Sequence, residues 1–375
     1  MKRYTETDIV KDLKKKMVFI TGPRQVGKTY IAKQLAESFE EPLYLNYDDI
    51  NDAKTILNRT WSLKTDLVIF DEIHKQKDWK NYLKGVFDTR SGKQTFLVTG
   101  SARLETFKKA GDSLAGRYFG YRLNPLSVKE LSAGRDPFET LETLNRLGGF
   151  PEPFLSGSLD YANKWRAQYF SNIIREDILE FGKVTELRAM KLLLELLRKR
   201  VGSPISYSGL AVDMQVSPVT VKKYLQVLED LFIIIVVHPF HQNIARSILK
   251  EPKVYFYDTG YVDGDEGIKL ENTVAVSLLK HVQYLQDTKG SDISLKYVKT
   301  KEGKETDFAI AESGSLTELI EVKLSDRSLA PGLRYFAEHF KKAKAVQLVH
   351  NLDKTSEPDG ILVTPAGKWL AGLSA

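Results

Sequence analysis

One stretch limits the fold before composition is considered. The apolar run Met17–Thr21 leads straight into Gly22-Pro-Arg-Gln-Val-Gly27-Lys28-Thr29, a Walker A pattern set after a strand and before a helix expected over 29–39. Glycines let backbone N–H groups turn inward around phosphate oxygens, and the helix N-terminus adds its positive end. Lys28 is expected on the β- and γ-phosphates and Thr29 on Mg²⁺, with Gly22, Gln25, Val26, Gly27 and Tyr30 completing the nucleotide-binding stretch. Further apolar runs at 43–46, 67–70 and 95–99 alternate with helical patterns. That alternation predicts an α/β fold with a parallel sheet flanked by helices.

The run at 67–70 ends in Asp71-Glu72. A buried strand would deliver Asp71 to the metal, and Glu72 would orient and polarise the attacking water; the plain alternative is a solvated acidic strand end. The run at 95–99 continues into Gly100-Ser101. There Ser101 is a candidate γ-phosphate sensor or an ordinary turn residue. Arg117 is the candidate arginine finger, in cis or from a neighbouring subunit, ahead of Arg122; a surface or core-capping arginine is the alternative.

At 375 residues the chain is long enough for two or three domains. Hydrophobic residues at 42% and charged residues at 28% suit a soluble globular protein. The longest apolar run, 231–237, falls far short of the roughly 20 residues that cross a bilayer, so no membrane partner is expected. The first residues lack the apolar core of a signal peptide, and cysteine is absent, which together suggest a cytoplasmic setting without disulfides or thiolate metal sites. A net charge of +6 makes nucleic acid the leading acidic partner.

Residues 205–240 read as helix, turn, helix and apolar strand. Ser206 and the Ser217-Pro218 step start the helices, while Val221, Leu225, Leu228 and Leu231 mark the buried stripe. Thr220, Lys222, Lys223 and Gln226 then fall on the exposed side, suited to bases and phosphates or to a protein partner. Farther on, Glu321 and Lys323 interrupt an apolar run, opposite Asp307 across a turn at 313–315. Strand alternation puts both on one side, so Asp307 and Glu321 are candidate Mg²⁺ ligands and Lys323 a candidate for positioning the nucleophile. Glu271, on a helix expected over 270–285, would add a third acidic ligand. A salt-bridged edge hairpin is the alternative.

Taken together, GPRQVGKT, VIFDEIH, TGSA, the GR…YRLNPLS…E run and GGFPEPFL resemble the AAA+ ATPases of bacteria and archaea that carry a C-terminal restriction-endonuclease-like domain. The resemblance implies an AAA+ core at 1–136, a helical lid and winged helix at 137–245, and a PD-(D/E)XK-like α/β domain at 246–375. It also implies ATP and Mg as cofactors, and the Glu271, Asp307, Glu321, Lys323 order fits the Glu…Asp…Glu-X-Lys pattern of such nucleases. The expected function is ATP hydrolysis coupled to action on nucleic acid, DNA ahead of RNA, with a Mg-dependent nuclease site. The alternative is an ATP-dependent switch that binds DNA or a protein without cleavage. A finger supplied in trans would require a homo-oligomer.

Overall fold

The computed structural model describes residues 2–100, 114–181, 184–241 and 251–375, with the backbone alone over 174–181 and 184–186. Contacts divide the chain into two compact units: Met1–Asn124 with Asp287–Lys289, and Pro125–Gln286 with Gly290–Ala375. The second joins the stretches that the sequence reading separates near residue 245.

Five strands build the first unit: β1 (Met17–Thr21), β2 (Pro42–Asn46), β3 (Leu67–Asp71), β4 (Thr95–Thr99) and β5 (Tyr118–Arg122). They lie in the order β2-β3-β4-β1-β5, every neighbouring pair parallel. Side chains alternate across the sheet, so Phe19, Val68, Phe70 and Phe96 enter one buried cluster and Val18, Ile20, Ile69 and Leu97 the other. A strand apolar on both faces has to be covered by helices on both sides, which is why these runs are continuous rather than alternating. Each fully buried Phe or Ile contributes about 1.5–3 kcal/mol by leaving water. The register aligns Asn46 with Asp71, Asp71 with Thr99 and Thr99 with Ile20, so the strands finish on one common carboxyl edge. Open α/β sheets bind ligands along that edge.

The second unit starts with helices, among them Pro137–Leu147 and Leu159–Phe181. Asp136 caps the first, its carboxylate accepting from Phe138 and Glu139 N–H, with Pro137 at the opening position where its missing N–H costs nothing. Arg166 and Asp258 form a buried ion pair at 2.5 Å, and Lys280 pairs with Glu130 while donating to Pro125 O. Buried charges persist only when paired in this way. Helices Val184–Arg198, Tyr207–Met214 and Pro218–Asp230 precede an antiparallel pair, β6 (Ile234–Val237) and β7 (Lys253–Phe256). Ser206 and Ser217 cap the two shorter helices, and Val221, Leu225, Leu228 and Leu231 are buried.

Next comes the helix Glu266–Lys289, then β8 (Ile293–Lys299), β9 (Glu305–Glu312) and β10 (Ser315–Lys323). The helix Pro331–His339 leads on to β11 (Lys344–Val349) and β12 (Leu362–Pro365). The sheet order is β12-β11-β10-β9-β8, antiparallel from β8 to β10 and parallel from β10 to β12. Ser313 and Gly314, with φ of 49° and 77°, make the two-residue loop that a tight hairpin between β9 and β10 requires. Among the described residues no helix is long and apolar enough to cross a membrane.

Candidate functional sites

The carboxyl edge of the first sheet carries the glycine-rich loop. A Cβ on Gly22, whose φ is +145°, would lie 2.3 Å from Leu123 O, so no other residue fits there. Gly27, at φ 98°, turns the chain into the helix Lys28–Ala36, whose N-terminus therefore opens onto the loop. Lys28 is buried, and its ammonium donates to Gly22 O at 3.0 Å and Pro23 O at 2.6 Å. Beneath the loop Arg3, also buried, donates to Val26 O at 2.9 Å and Asn124 O at 2.6 Å. Val26 is itself a core residue, while Gln25 takes a positive φ and Tyr30 is largely exposed.

Asp71 ends β3 on this edge, between β2 and β4. Its Oδ2 accepts from Thr29 Oγ1 at 2.9 Å and from Tyr44 OH at 2.6 Å, and its Oδ1 accepts from Thr99 Oγ1 at 2.6 Å. Burial, then the Asp71 carboxylate, pushes the Tyr44 hydroxyl well up, so it remains a donor. Glu72 sits in the left-handed region at φ 56°, a strained position for a residue with a side chain. Its N–H donates to Thr99 O, and burial, followed by Asp71, raises its carboxyl above the ordinary range. Lys75 and His74 lie 3.8 and 3.6 Å from that carboxylate. A hydroxyl and a buried carboxylate 2.9 Å apart beside a loop of turned-in backbone fit a nucleotide phosphate chain and its Mg²⁺.

The sequence reading picks Ser101 as the sensor; it lies outside the described residues. Thr99, two positions earlier, is the hydroxyl that reaches Asp71. The two candidate finger arginines fall at opposite ends of β5. Arg117 precedes β5 beside Met17, the start of β1, whereas the phosphate loop follows Thr21, roughly 16 Å along the strand. Its guanidinium holds both oxygens of Asp88, at 2.8 and 3.0 Å. Arg117 thus stands at the far end of β1 from the phosphate loop of its own chain. Arg122 ends β5 beside Thr21, on the loop's edge, and pairs with Asp287 at 2.6 Å.

A second group of charges gathers in the other unit. The register of Ile320 opposite Phe308 sets Asp307 across from Glu321, and Asp307 Oδ2 accepts from Val322 N–H at 2.9 Å. Glu321 is 6% exposed; its Oε1 accepts from Lys323 Nζ at 2.7 Å, and its Oε2 is buried without a hydrogen-bond partner. Glu321, Lys323, Glu305 and Asp326 line an open cavity of about 510 Å³. Glu271 Oε1 accepts from Tyr255 OH at 2.7 Å. Burial and the Asp307 charge push Glu271 up to about 8 and Glu321 up to about 7.

Lys253, first residue of β7, is the member that sequence reasoning missed. Its ammonium is 1% exposed and lies 2.7 Å from Glu305, 3.6 Å from Asp307 and 3.7 Å from Glu271. Burial works against its charge, yet Glu271, Asp307 and Glu305 hold it well above its ordinary value. The only signal in the sequence is a charge heading the apolar run 254–257. Among the described residues no three carboxylate or imidazole groups stand as a ready-made metal cage, so the expected trio of Glu271, Asp307 and Glu321 is not preassembled.

The exposed side of the helix Pro218–Asp230 is more engaged than its composition suggests. Gln226 donates to Glu229 and Asp230, Lys222 lies 4.8 Å over the Tyr207 ring, and Thr220 shares a 2.8 Å hydrogen bond with Ser217. Lys223 is exposed beside them.

Comparison with known proteins assigns the segments. Residues 14–132 match the model of an AAA domain, 138–264 that of a domain of unknown function (DUF8612), and 266–369 that of another (DUF4143). An uncharacterized protein of Mycobacterium tuberculosis is 27% identical over 246 residues, which cover 65% of this chain and 54% of that protein. The chain thus spans about half the length of its mycobacterial relatives. An uncharacterized protein of Methanocaldococcus jannaschii is 25% identical over 347 residues, 84% of this chain and 76% of that one. Among solved structures, a Walker-type ATPase of Pyrococcus abyssi is similar at 16% identity and a TM-score of 0.43, over 70% of this chain and 94% of that one. The parallel sheet and the glycine-rich loop thus lie in the segment that matches an AAA domain, and the residues after it match two domains of unknown function.

Proposed function

We propose that the chain hydrolyses ATP at Lys28, Thr29, Asp71 and Glu72 and uses that cycle to control a Mg²⁺-dependent phosphodiester-cleaving site at Asp307, Glu321 and Lys323. Its substrate is nucleic acid, DNA before RNA. The observation that carries the second half is the cavity of about 510 Å³ into which Glu321 and Lys323 look, with Asp307 across the strand pair. A salt-bridged hairpin facing a core would have no such opening.

At the nucleotide site Lys28 binds phosphate oxygens, and Thr29 and Asp71 would hold Mg²⁺. A bound Mg²⁺ there supplies charge neutralisation at the β- and γ-phosphates. Glu72 accepts the proton of the attacking water, and the upward shift of its carboxyl makes the carboxylate a stronger base. Arg117, half-buried and paired with Asp88 at the far strand end, would serve a neighbouring copy, and a trans finger implies a homo-oligomer. In the second unit Asp307 and Glu321, with Glu271, would hold Mg²⁺, which supplies Lewis acidity toward a scissile phosphate. Lys323, half-buried and held above its ordinary value chiefly by Glu321, orients the water and steadies the charge that develops. The helices Tyr207–Met214 and Pro218–Asp230 with β6 and β7 make a winged-helix module in this reading, in which Lys223 and the N-terminal end of the second helix meet the duplex.

A second reading, a nucleotide-driven switch that binds DNA or protein without cutting, draws support from the internal engagement of Lys222 and Gln226. One assay separates the two. Full-length protein and Glu321→Ala are incubated with branched, single-stranded and duplex DNA, with Mg²⁺ or Mn²⁺, with and without ATP. Cleavage that disappears in the variant supports the first reading; no Glu321-dependent cleavage under any condition leaves the switch.

A further inference from the structure

Lys253 has no part in the reaction just described, yet it is the most buried charge in the second unit's acidic group. Four carboxylates gather there, Glu271, Glu305, Asp307 and Glu321, against three ammoniums, Lys253, Lys323 and, at the rim, Lys299, which lies 2.8 Å from Glu305. In the deprotonated form that metal binding requires, these seven groups leave one formal negative charge. A single divalent cation and one phosphodiester close that difference; two divalent cations leave the site strongly positive. The placement agrees with the count. Lys253 lies nearest Glu305 and within 3.7 Å of both Glu271 and Asp307, so its charge already stands among these three, whereas the buried unpartnered oxygen belongs to Glu321, which lines the cavity.

We propose that the Lys253 ammonium is a built-in cation that occupies the place of a second divalent ion, so that this site takes at most one metal, on its Asp307 and Glu321 side. The inference rests on the reading of these carboxylates as a metal site, and it adds a positioning residue delivered by β7. Lys253 lies beside Glu305, Glu271 and Asp307 rather than Glu321, whose Oε2 is left for the incoming ion. It also ties the β6–β7 pair to the carboxylate group, since the ammonium hangs from the first residue of β7.

The test counts bound Mn²⁺ on the full chain, without nucleotide, from the loss of the free Mn²⁺ resonance signal. Lys253→Met is expected to bind one more Mn²⁺ per chain than the wild type, and Lys253→Arg the same number as the wild type. An equal count in Lys253→Met and wild type overturns the proposal. Should Lys253→Met fail to fold, the double variant Lys253→Met/Glu271→Gln removes the excess negative charge together with the cation. It is expected to fold, by circular dichroism, and to match the wild-type count; a double variant that stays unfolded or binds less also overturns the proposal. Failure of the cleavage reading shows separately, as absent or Glu321-independent cutting, and leaves the Mn²⁺ count to judge Lys253.

Discussion

Asp71 in the first unit and Asp307 in the second are both carboxylates carried on strands, but their surroundings differ. Three neutral hydroxyls, from Thr29, Tyr44 and Thr99, hold Asp71. Asp307 and its neighbours are held by ammoniums, Lys253 foremost. Hydroxyls orient a carboxylate and leave its charge for an ion that arrives with the nucleotide. Ammoniums cancel charge in advance, at the expense of burying a cation that pays off only while every partner stays in place. One centre is thus set for a ligand that carries its own cation, the other for one that meets cations already there.

Substitution at the nucleotide site should break the comparison most sharply. Lys28→Ala is expected to lower ATP turnover by about two to three orders of magnitude, the scale of removing one preorganised contact to developing charge. The Mn²⁺ count of the second unit should not move. Glu72→Gln is expected to slow turnover comparably while nucleotide binding, followed by a fluorescent analogue, persists. Full turnover in Lys28→Ala would reject the site.

The first of these centres was legible in the sequence because its chemistry is local. Gly22 to Thr29 is contiguous, and Asp71-Glu72 follows a run that can only be a buried strand. Contacts set by strand order were not legible. Tyr44 reaches Asp71 because β2 lies next to β3, and Thr99 meets it because the register sets the last residue of β4 beside the last of β3. The position of Arg117 was hidden for the same reason: parallel pairing with β1, not its motif, sets it at the far strand end. In the second unit Asp307, Glu321 and Lys323 were readable from period-two alternation within one hairpin. Lys253 arrives from another sheet, and no spacing announces it.

Acidity should sharpen the comparison at intermediate size. Glu271 and Glu321 hold their protons more tightly folded than unfolded, with values pushed to about 8 and about 7. Their contribution to stability is therefore present in full below the ordinary carboxylate value, and it is lost as pH rises through that neutral range. His238 and His350, lowered by burial, act in the opposite sense at acid pH, so the informative quantity is a difference between variants. Wild type should lose several degrees of Tm between about pH 6 and 9, and Glu321→Gln distinctly less. Parallel curves would show that Glu321 does not hold a proton at neutral pH.

The smallest expected effect tests whether hydroxyls orient Asp71 or merely fill space beside it. Tyr44→Phe removes one neutral donor from Oδ2 and keeps the ring, which stacks under the Lys33 ammonium at 4.9 Å. A hydrogen bond of this kind contributes about 0.5–1.5 kcal/mol, so the loss in stability should be slight. If the hydroxyl sets the carboxylate's direction, the variant should need several-fold more Mg²⁺ for half-maximal ATP turnover, with its rate at saturating Mg²⁺ little changed. A packing role alone would lower Tm and leave the Mg²⁺ dependence where it was. The outcome reaches beyond Tyr44: a shifted Mg²⁺ requirement means that a neutral donor tunes the cation affinity of the first centre, as we propose a buried ammonium does for the second.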